Sequence, residues 1–422
     1  MKDFDLYLTD LAKLISYKSV CSSPSENAPF GQEVKDCLDY FLSIADRMGL
    51  KTIDYDGYAG EVVLGEGEEI GIIGHLDVVP TGIGWLTPPF SLTEKDGIFY
   101  GRGVSDDKTP LLSCLYALKE LKDSNLPINK KFRLILGCDE ETEWRDVEYI
   151  KTKTTLPEYG FSPDGAFPLS YAEKGIVELS FLLPPLKNFT DVKGGTVLNA
   201  VCDYAVARPV GFTPSKTELE KFNLKLENGL IVSRGKSAHG STPELGKNAL
   251  KPLFEYFLSV GEDVKSVLDY VFYDKLGVCA MQNEQGFVTM SPDLICQDEK
   301  GIKITCDVRI PAPLSKDDLI KKLNQFNIDY TAKLRHEPVM TQKKSPFITT
   351  LLGAYNSVTG ENAQPFSMGG STFARAFKKG CSFGPHFANH QDNIHDANEN
   401  VSRQQILSAY EIYKKAIFDL AK

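Results

Sequence analysis

The sequence predicts an α/β protein with a central, mostly parallel sheet and a smaller α+β domain inserted into it. Three observations predict this architecture: strand-like and helix-like segments alternate up to residue 173, the pattern changes from about Gly175, and the segments after Pro338 resume the first pattern. Alternating strands and helices are typical of a parallel sheet. We therefore expect residues 1–173 and 339–422 to form one domain and residues 174–338 to form the insertion.

The first domain begins with two predicted helices. Apolar residues recur at helical spacing over residues 4–17 and 30–48. The apolar, β-branched run over residues 69–75 predicts a buried strand. Residues 106–121 predict a third helix and residues 131–137 a second strand, so the order is that of a sheet with crossover helices.

The insertion and the end of the chain complete the pattern. In the insertion, strand-like segments lie at residues 176–183, 229–234 and 302–310, and helix-like segments at residues 249–260 and 316–326. After it come a helix at residues 349–359, a short strand at residues 381–384 and a final helix from Ser402. Interleaved strands and helices of this kind predict an α+β insertion.

Composition excludes several classes of protein. The 422 residues carry a net charge of −10 and no basic tract, which argues against binding of nucleic acid. No run approaches the roughly 20 apolar residues that a membrane span needs, and the N-terminus lacks the features of a signal peptide. The nine cysteines show no Cys-x-x-Cys pairing and are odd in number, which favours reduced thiols. We expect a cytoplasmic protein.

The predicted strand at residues 69–75 ends in the segment Gly74-His-Leu-Asp-Val-Val-Pro80. His75 and Asp77 therefore lie just beyond the carboxyl end of a strand, where open α/β sheets usually hold their sites. One side chain can bind a metal while the other orients it. The alternative is a core histidine whose ring is satisfied by a nearby carboxylate.

Four further polar clusters each have an ordinary explanation. Asp106, at the start of a predicted helix, is typical of an N-cap, and the acidic run Asp139-Glu140-Glu141 is typical of a solvated loop. Asp164 lies in an Asp-Gly turn, and His395 would by default lie on the surface. Adjacent carboxylates at a strand end can nevertheless divide their roles, one binding a metal and the other moving protons.

Taken together in this order, the clusters resemble the dinuclear metallopeptidase and deacylase family of carboxypeptidase G, aminoacylase, acetylornithine deacetylase and succinyl-diaminopimelate desuccinylase. The resemblance covers almost the whole chain and is greatest to the PepV-type dipeptidases. It implies a zinc-peptidase-like catalytic domain and a ferredoxin-like lid domain. The motifs that carry it are His75-x-Asp77, Gly101-Arg-Gly-x-x-Asp106-Asp-Lys108, Asp139-Glu-Glu141, Pro163-Asp-Gly165, Ala238-His-Gly-Ser241, Asp307-Val-Arg309 and His395-x-x-Asn-Glu399.

The resemblance implies two metal ions held by five side chains. His75, Asp106 and Asp164 would bind one ion, and Asp106, Glu141 and His395 would bind the other, with Asp106 bridging the pair. Nitrogen and oxygen ligands without a thiolate suit Zn²⁺, Mn²⁺ or Co²⁺.

The same resemblance assigns three residues to catalysis. Glu140 would be the general base, Asp77 would fix the tautomer of His75, and His239 in the insertion would stabilise the oxyanion. The alternative for His239 is a turn histidine without a partner.

Four further residues match positions that contact substrate: Asn199, Arg309, Gly370 and Ser371. An arginine can bind a free α-carboxylate through paired hydrogen bonds, although on its own Arg309 would be interpreted as a surface salt-bridge partner. The segment Gly369-Gly-Ser-Thr372 resembles a glycine-rich substrate loop and is equally compatible with an ordinary turn.

The predicted function is metal-dependent hydrolysis of small, unblocked dipeptides. The alternatives are an N-acyl amino acid deacylase of the same architecture and a non-catalytic peptide-binding relative. A binding protein would not need the general base Glu140, so its presence favours an enzyme. The enlarged insertion favours a monomer over a dimer.

Overall fold

In the computed structural model, which describes residues 1–325, 329–388 and 392–422, the chain divides into two compact units. The first unit comprises Met1–Tyr171, Met340–Phe366 and Ser371–Lys422, and the inserted unit comprises Ala172–Val339 and Ser367–Gly370. These boundaries differ from the expected ones by two residues and one residue. The short segment Ser367–Gly370, expected in the first domain, groups with the inserted unit.

The helices and strands follow in chain order. The helices are α1 (Phe4–Ser16), α2 (Gln32–Arg47), α3 (Lys108–Asp123), α4 (Arg145–Lys153), α5 (Lys216–Glu220), α6 (Leu250–Ser259), α7 (Lys265–Val267), α8 (Lys316–Leu323), α9 (Pro346–Thr359) and α10 (Arg403–Leu420). The strands are β1 (Lys51–Tyr55), β2 (Ala59–Leu64), β3 (Glu68–His75), β4 (Thr93–Lys95), β5 (Ile98–Tyr100), β6 (Lys130–Gly137), β7 (Tyr159–Ser162), β8 (Gly165–Ala166), β9 (Ser170–Glu173), β10 (Gly175–Leu183), β11 (Phe189–Gly194), β12 (Tyr204–Pro209), β13 (Lys225–Glu227), β14 (Leu230–Arg234), β15 (Gln282–Asn283), β16 (Gly286–Phe287), β17 (Thr289–Asp298), β18 (Gly301–Ile310), β19 (Tyr330–His336), β20 (Val339–Met340), β21 (Phe366–Met368), β22 (Lys379–Ser382), β23 (Pro385–His386) and β24 (Asn400–Ser402).

The central sheet of the first unit is mixed. Strands β6, β3, β7 and β22 are neighbours and run parallel, whereas β1–β2 and β2–β6 are antiparallel pairs. The antiparallel edge arises because three residues join β1 to β2, too few for a parallel crossover. The prediction of an α/β fold with a central sheet is confirmed, and its parallel part is confined to the middle.

Two glycines let the sheet pack closely against the ring of Phe377. A Cβ added at Gly71 in β3 or at Gly160 in β7 would collide with that ring. Phe377 belongs to an apolar cluster with Ile73 and Ile135 from neighbouring strands. This packing fixes the positions of β3 and β7, and with them the residues that follow their carboxyl ends.

The inserted unit contains an eight-stranded antiparallel sheet, in the order β13-β14-β12-β11-β17-β18-β10-β19. Its core includes apolar residues of β10, β18 and α6. The α+β class is confirmed. The helix expected at residues 316–326 is α8, and the end of that expected range, Phe326, lies outside the described residues.

Two properties of the chain bear on the exclusions made from composition. None of the nine cysteines forms a disulfide, and all nine lie within the described residues. None of the helices in the described parts of the chain combines the length and apolar character needed to cross a bilayer.

Candidate metal centre

Three adjacent parallel strands deliver acidic and imidazole side chains to one edge of the central sheet. His75 is the last residue of β3, Asp139-Glu140-Glu141 closely follows β6, and Asp164 follows β7. Because β6, β3 and β7 are parallel neighbours, their carboxyl ends meet at this edge. The fold therefore brings together residues that are far apart in the sequence.

Asp106 lies at the middle of the cluster. Its Oδ1 is 2.9 Å from His75 Nε2, and its Oδ2 is 3.0 Å from His395 Nε2. His395 Nε2 also lies 3.1 Å from Glu141 Oε1, and His75 Nε2 lies 3.9 Å from Asp164 Oδ2. All five expected ligands therefore meet around one carboxylate, in the two groups that the sequence resemblance implies.

The donor set fits divalent ions. Within the described residues, ligand atoms of His75, Asp106 and Glu141 all lie within 4.8 Å of one another. Two ligands bound at about 2.1 Å to one tetrahedral ion lie about 3.4 Å apart, close to the separations found here. Imidazole and carboxylate donors without a thiolate are typical of Zn²⁺ or Mn²⁺ sites.

Burial and mutual repulsion raise the pKa values of the carboxyls. Burial, reinforced by the charge of Asp106, raises the pKa of Asp164 to about 7 and also raises the pKa of Glu141. The pKa of Glu140 rises well above its usual range, chiefly through burial and then through the charges of Asp164 and Glu141. Within the described parts of the chain, no Lys or Arg forms an ion pair with these three side chains. The cluster is short of positive charge.

The pKa values of the two imidazoles also rise, but for a different reason. Burial lowers the pKa of His395, but Asp106 and Glu141 outweigh it and raise that pKa to about 11. Burial likewise opposes a rise in the pKa of His75, which Asp106 and Asp77 drive well above its usual range. A proton on each ring supplies positive charge next to these carboxylates. Bound divalent ions would supply that charge in its place.

Asp77 joins two ligand-bearing loops. Its carboxylate accepts hydrogen bonds from the backbone amides of Glu140 (3.2 Å) and Glu141 (3.0 Å). The Nδ1 atom of His75 lies 3.0 Å from the backbone oxygen of Asp77 and 3.5 Å from its carboxylate. The backbone oxygen is thus the nearer partner of the ring, while the carboxylate holds the loop that carries the expected general base.

Glu399 supports the turn that carries Asp106, a role that the sequence did not reveal. Its buried carboxylate accepts hydrogen bonds from the amides of Gly103, Ser105 and Asp106 at 2.9, 2.8 and 3.1 Å. Arg102 pairs with the same carboxylate at 2.7 Å. Although Glu399 falls in a motif quoted above, only the fold brings its carboxylate to this turn.

Asp146 supports the acidic loop and was also missed. Its Oδ2 accepts hydrogen bonds from the amides of Cys138 (2.6 Å) and Asp139 (3.0 Å), just ahead of Glu140 and Glu141. Burial raises the pKa of Asp146 to about 7. Its position at the start of α4 is the only sequence signal for this role, since acidic residues are common in a first helical turn.

Two of the predicted site residues, Asn199 and His239, lie close together in the inserted unit. The amide of Gly240 donates to the backbone oxygen of Asn199 at 2.6 Å, and His239 forms an isolated bridge with Ala200. The ring of His239 is exposed, and its Nδ1 lies 2.7 Å from Ser241 Oγ. The expected role of His239 at the oxyanion stays a prediction.

Arg309 is buried and not on the surface. Its Nε and Nη2 bind the carboxylate of Asp307 at 2.7–3.0 Å, and its Nη1 donates to the backbone oxygen of Gly369 at 3.1 Å. Only 3% of Arg309 is exposed. Its Nε and Nη2 atoms could form paired hydrogen bonds with a substrate carboxylate, but here they are bonded to Asp307.

The glycine-rich segment is divided between the units. Gly370 ends the piece that belongs to the inserted unit, and Ser371 begins the last piece of the first unit. The hydroxyl of Ser371 is buried and has no hydrogen-bond partner among the described residues. A buried hydroxyl without a partner is suited to bind a ligand.

Comparison with known proteins agrees with this geometry. The profile of Peptidase family M20/M25/M40 matches residues 71–419. A putative dipeptidase of Bacillus subtilis, YtjP, is 33% identical over 93% of this chain and 92% of its own length. A putative dipeptidase of Staphylococcus epidermidis is 31% identical over 98% of this chain and 96% of its own length.

Solved structures share the fold at low sequence identity. Human carnosine dipeptidase 1 has a TM-score of 0.60 at 14% identity, covering 99% of this chain and 96% of that protein. YXEP of Bacillus subtilis, described as a dinuclear metal binding peptidase, has a TM-score of 0.56 at 9% identity, covering 100% of this chain and 99% of that protein. With its profile match over most of its length and relatives above 30% identity, the chain is a member of Peptidase family M20/M25/M40.

Proposed function

We propose that the protein is a metal-dependent dipeptidase that hydrolyses unblocked dipeptides. The observation that carries this proposal is the convergence of His75, Asp106, Glu141, Asp164 and His395 around a centre short of positive charge. The relatives named as putative dipeptidases support a dipeptide substrate.

The five side chains would hold two divalent ions, with Asp106 shared between them. Two ions at such a site lower the pKa of a water molecule and polarise the scissile carbonyl. The bound ions would also lower the pKa values of Asp164 and Glu141, because their positive charge stabilises the ionised carboxylates. We expect Zn²⁺ or Mn²⁺, with Co²⁺ as a further candidate.

Glu140 would act as the general base. Its carboxylate would accept a proton from the attacking water and pass it to the departing amine. Burial and the charge of Asp164 raise the pKa of Glu140, which is the direction expected for a carboxyl that takes up a proton during catalysis. The amides of Glu140 and Glu141 donate hydrogen bonds to Asp77. These bonds would keep the Glu140 carboxylate close to the metal ligands.

The proposed substrate contacts come from Asn199, His239, Arg309, Gly370 and Ser371. A Cβ added at Gly240, next to His239, would meet both Asn199 and the Asp307 carboxylate that holds Arg309, which supports a common role for Asn199, His239 and Arg309. The buried hydroxyl of Ser371 supports its inclusion.

The decisive experiment compares an unblocked dipeptide with its N-acetylated counterpart. Metal-stripped protein is restored with Mn²⁺ or Zn²⁺, and hydrolysis of each compound is followed by release of the C-terminal amino acid. Glu140→Gln should lower kcat about 10²–10⁴-fold, the usual contribution of general-base catalysis. Glu143→Gln is the matched control, because Glu143 is exposed and only three residues away.

Three outcomes separate the alternatives. Cleavage of the unblocked dipeptide alone, lost in Glu140→Gln and kept in Glu143→Gln, supports the proposal. Preference for the acetylated compound assigns the protein to the deacylases. Hydrolysis of neither compound by metal-loaded protein contradicts the proposal and favours a peptide-binding relative.

We further propose a cytoplasmic monomer. The lack of a disulfide among the nine cysteines, all within the described residues, supports a reducing compartment. The eight-stranded sheet within a single inserted unit supports a chain that needs no second copy. Light scattering coupled to gel filtration tests the monomer, and a stable dimer contradicts it.

A further inference from the structure

A third histidine of the first unit, which no motif in the sequence singles out, lies beside the candidate metal centre. His386 ends β23, which pairs in parallel with β8, the strand that directly follows Asp164. Two backbone bonds fix this pairing: Gly165 N to Gly384 O at 2.6 Å, and Phe167 N to His386 O at 2.8 Å. His386 is therefore on the strand next to a proposed ligand.

Asp392 holds the imidazole from the other side. Its Oδ2 lies 2.5 Å from His386 Nδ1 and accepts a bond from the hydroxyl of Ser105 at 3.4 Å. Ser105 immediately precedes Asp106, and the backbone oxygen of Asp392 is bonded to the amide of Asn400 at 2.9 Å. The pair thus lies between the segments that carry two of the proposed ligands, with 18% and 13% of the two side chains exposed.

The hydrogen bond to Asp392 leaves one ring nitrogen of His386 available. The carboxylate of Asp392, 2.5 Å from Nδ1, favours the protonated ring through its charge and its hydrogen bond. An imidazolium donates from both nitrogens, and Asp392 engages only Nδ1. Over the described ranges, Nε2 has no hydrogen-bond partner.

Other cationic side chains near Asp106 are already engaged. Arg102 is bonded to Glu399, and the buried ammonium of Lys108 donates to the backbone oxygens of Leu14 and Tyr17. Both are held by protein groups through their terminal nitrogens, whereas the Nε2 atom of His386 is bonded to none of the described residues.

We propose that His386, oriented by Asp392, is a substrate-binding residue that donates from Nε2 to the terminal carboxylate of the peptide. This inference rests on the proposed function, since it names the group that recognises one end of the same substrate. A purely structural alternative is that the pair only fastens the segment after β22 to the turn at Ser105.

Calorimetric binding separates these alternatives without relying on turnover. The metal-loaded Glu140→Gln protein and the Glu140→Gln/His386→Asn double variant are each titrated with a dipeptide and with its C-terminal amide. The amide lacks the carboxylate and keeps the rest of the substrate. A charge-assisted hydrogen bond should give the dipeptide about a tenfold advantage over the amide in Glu140→Gln.

The expected result is that His386→Asn removes this advantage and leaves the Kd of the amide unchanged. Asp392→Asn, in the same Glu140→Gln background, should reduce the advantage partially, because the ring loses its anionic partner and its fixed orientation. Equal weakening of both ligands by His386→Asn would show a structural role and overturn the inference. Equal binding of dipeptide and amide in Glu140→Gln, or no binding of either, would overturn it too.

The same data keep this inference separate from the proposed function. If the dipeptide binds through its carboxylate as expected but the wild-type protein does not hydrolyse it, the proposed activity fails and the role of His386 stands. If hydrolysis occurs and His386→Asn does not change the preference for the dipeptide, the reverse holds.

Discussion

Two groups of buried carboxylates, one in each unit, are compensated in different ways. In the inserted unit, Asp307 receives three short hydrogen bonds from Arg309, so both charges are balanced within the chain. In the first unit, Glu140, Glu141 and Asp164 cluster without such a cation, and their pKa values rise. A buried charge is costly unless it is paired. The Asp307 pair thus contains its own counter-charge, whereas no lysine or arginine among the described residues pairs with Glu140, Glu141 or Asp164.

The largest expected effect is at Asp106. Asp106→Asn keeps the shape of the side chain and removes the charge that both His75 and His395 face. Activity should fall by about 10³-fold or more, because the metal ions would supply several kcal/mol of stabilisation. Bound metal, measured by mass spectrometry after dialysis, should fall with it. Asp96→Asn, in an exposed loop, is the control, and an Asp106→Asn protein with full metal content and activity would contradict the comparison.

The second expected effect is on the ion pair of the inserted unit. Arg309→Met leaves Asp307 buried without its partner, which should cost about 3–5 kcal/mol in the free energy of unfolding. Urea denaturation measures this loss. Asp307→Asn combined with Arg309→Met should recover part of it, because no uncompensated charge remains. If Arg309→Met changes KM for the dipeptide and leaves stability unchanged, Arg309 serves the substrate and not the fold.

Removal of metal should affect the two units unequally. Ions present at about 100 times their Kd stabilise the folded protein by about 2.7 kcal/mol, and chelation removes that contribution. Hydrogen exchange should therefore increase in the segments around Asp106 and His395 and stay unchanged in β17 and β18. Equal increases in both units would mean that the ions do not act through the first unit alone.

The smallest effect concerns the pH dependence of the inserted unit. Burial raises the pKa of Asp293 to about 7, although its carboxylate accepts bonds from Ser291 Oγ and the amide of Asn199. The neutral carboxyl is favoured in the folded chain, so its contribution to stability is complete below about pH 4 and is lost as the pH rises to about 7. Asp293→Asn should remove this dependence.

Thermal unfolding at pH 4, 5.5 and 7 tests the effect of Asp293. Asp203→Asn, at an exposed position of the same unit, provides the control. The raised pKa would be contradicted if the wild-type inserted unit became more stable from pH 4 to pH 7 and Asp293→Asn showed the same dependence of stability on pH.

The ends of strands could be predicted from the sequence more accurately than the partners of buried side chains. His75 and Glu141 could be found because apolar β-branched runs mark the strands that precede them. The antiparallel edge of the central sheet was not predicted, because pairing between β2 and β6 depends on contacts between distant residues. Elements with a strong local pattern were therefore found, and those decided by tertiary pairing were not.

Partners of buried polar groups followed the same rule. Asp307 and Arg309 are two residues apart and point to one side of a strand, so alternation alone could have suggested their pairing. The contacts of Glu399 with Asp106 and of Asp392 with His386 join segments through the fold. Such contacts leave no periodic signal in the sequence.

The most direct test of the account is a calorimetric titration of metal-free protein with Mn²⁺, run beside a dipeptide hydrolysis assay on the same samples. The account predicts two ions bound per chain by the wild type and by Glu140→Gln, with hydrolysis rising as the ions bind in the wild type only. Hydrolysis by metal-free wild-type protein, or a wild-type protein that binds no Mn²⁺ or Zn²⁺, would contradict the claim that the carboxylates of the first unit form a metal centre.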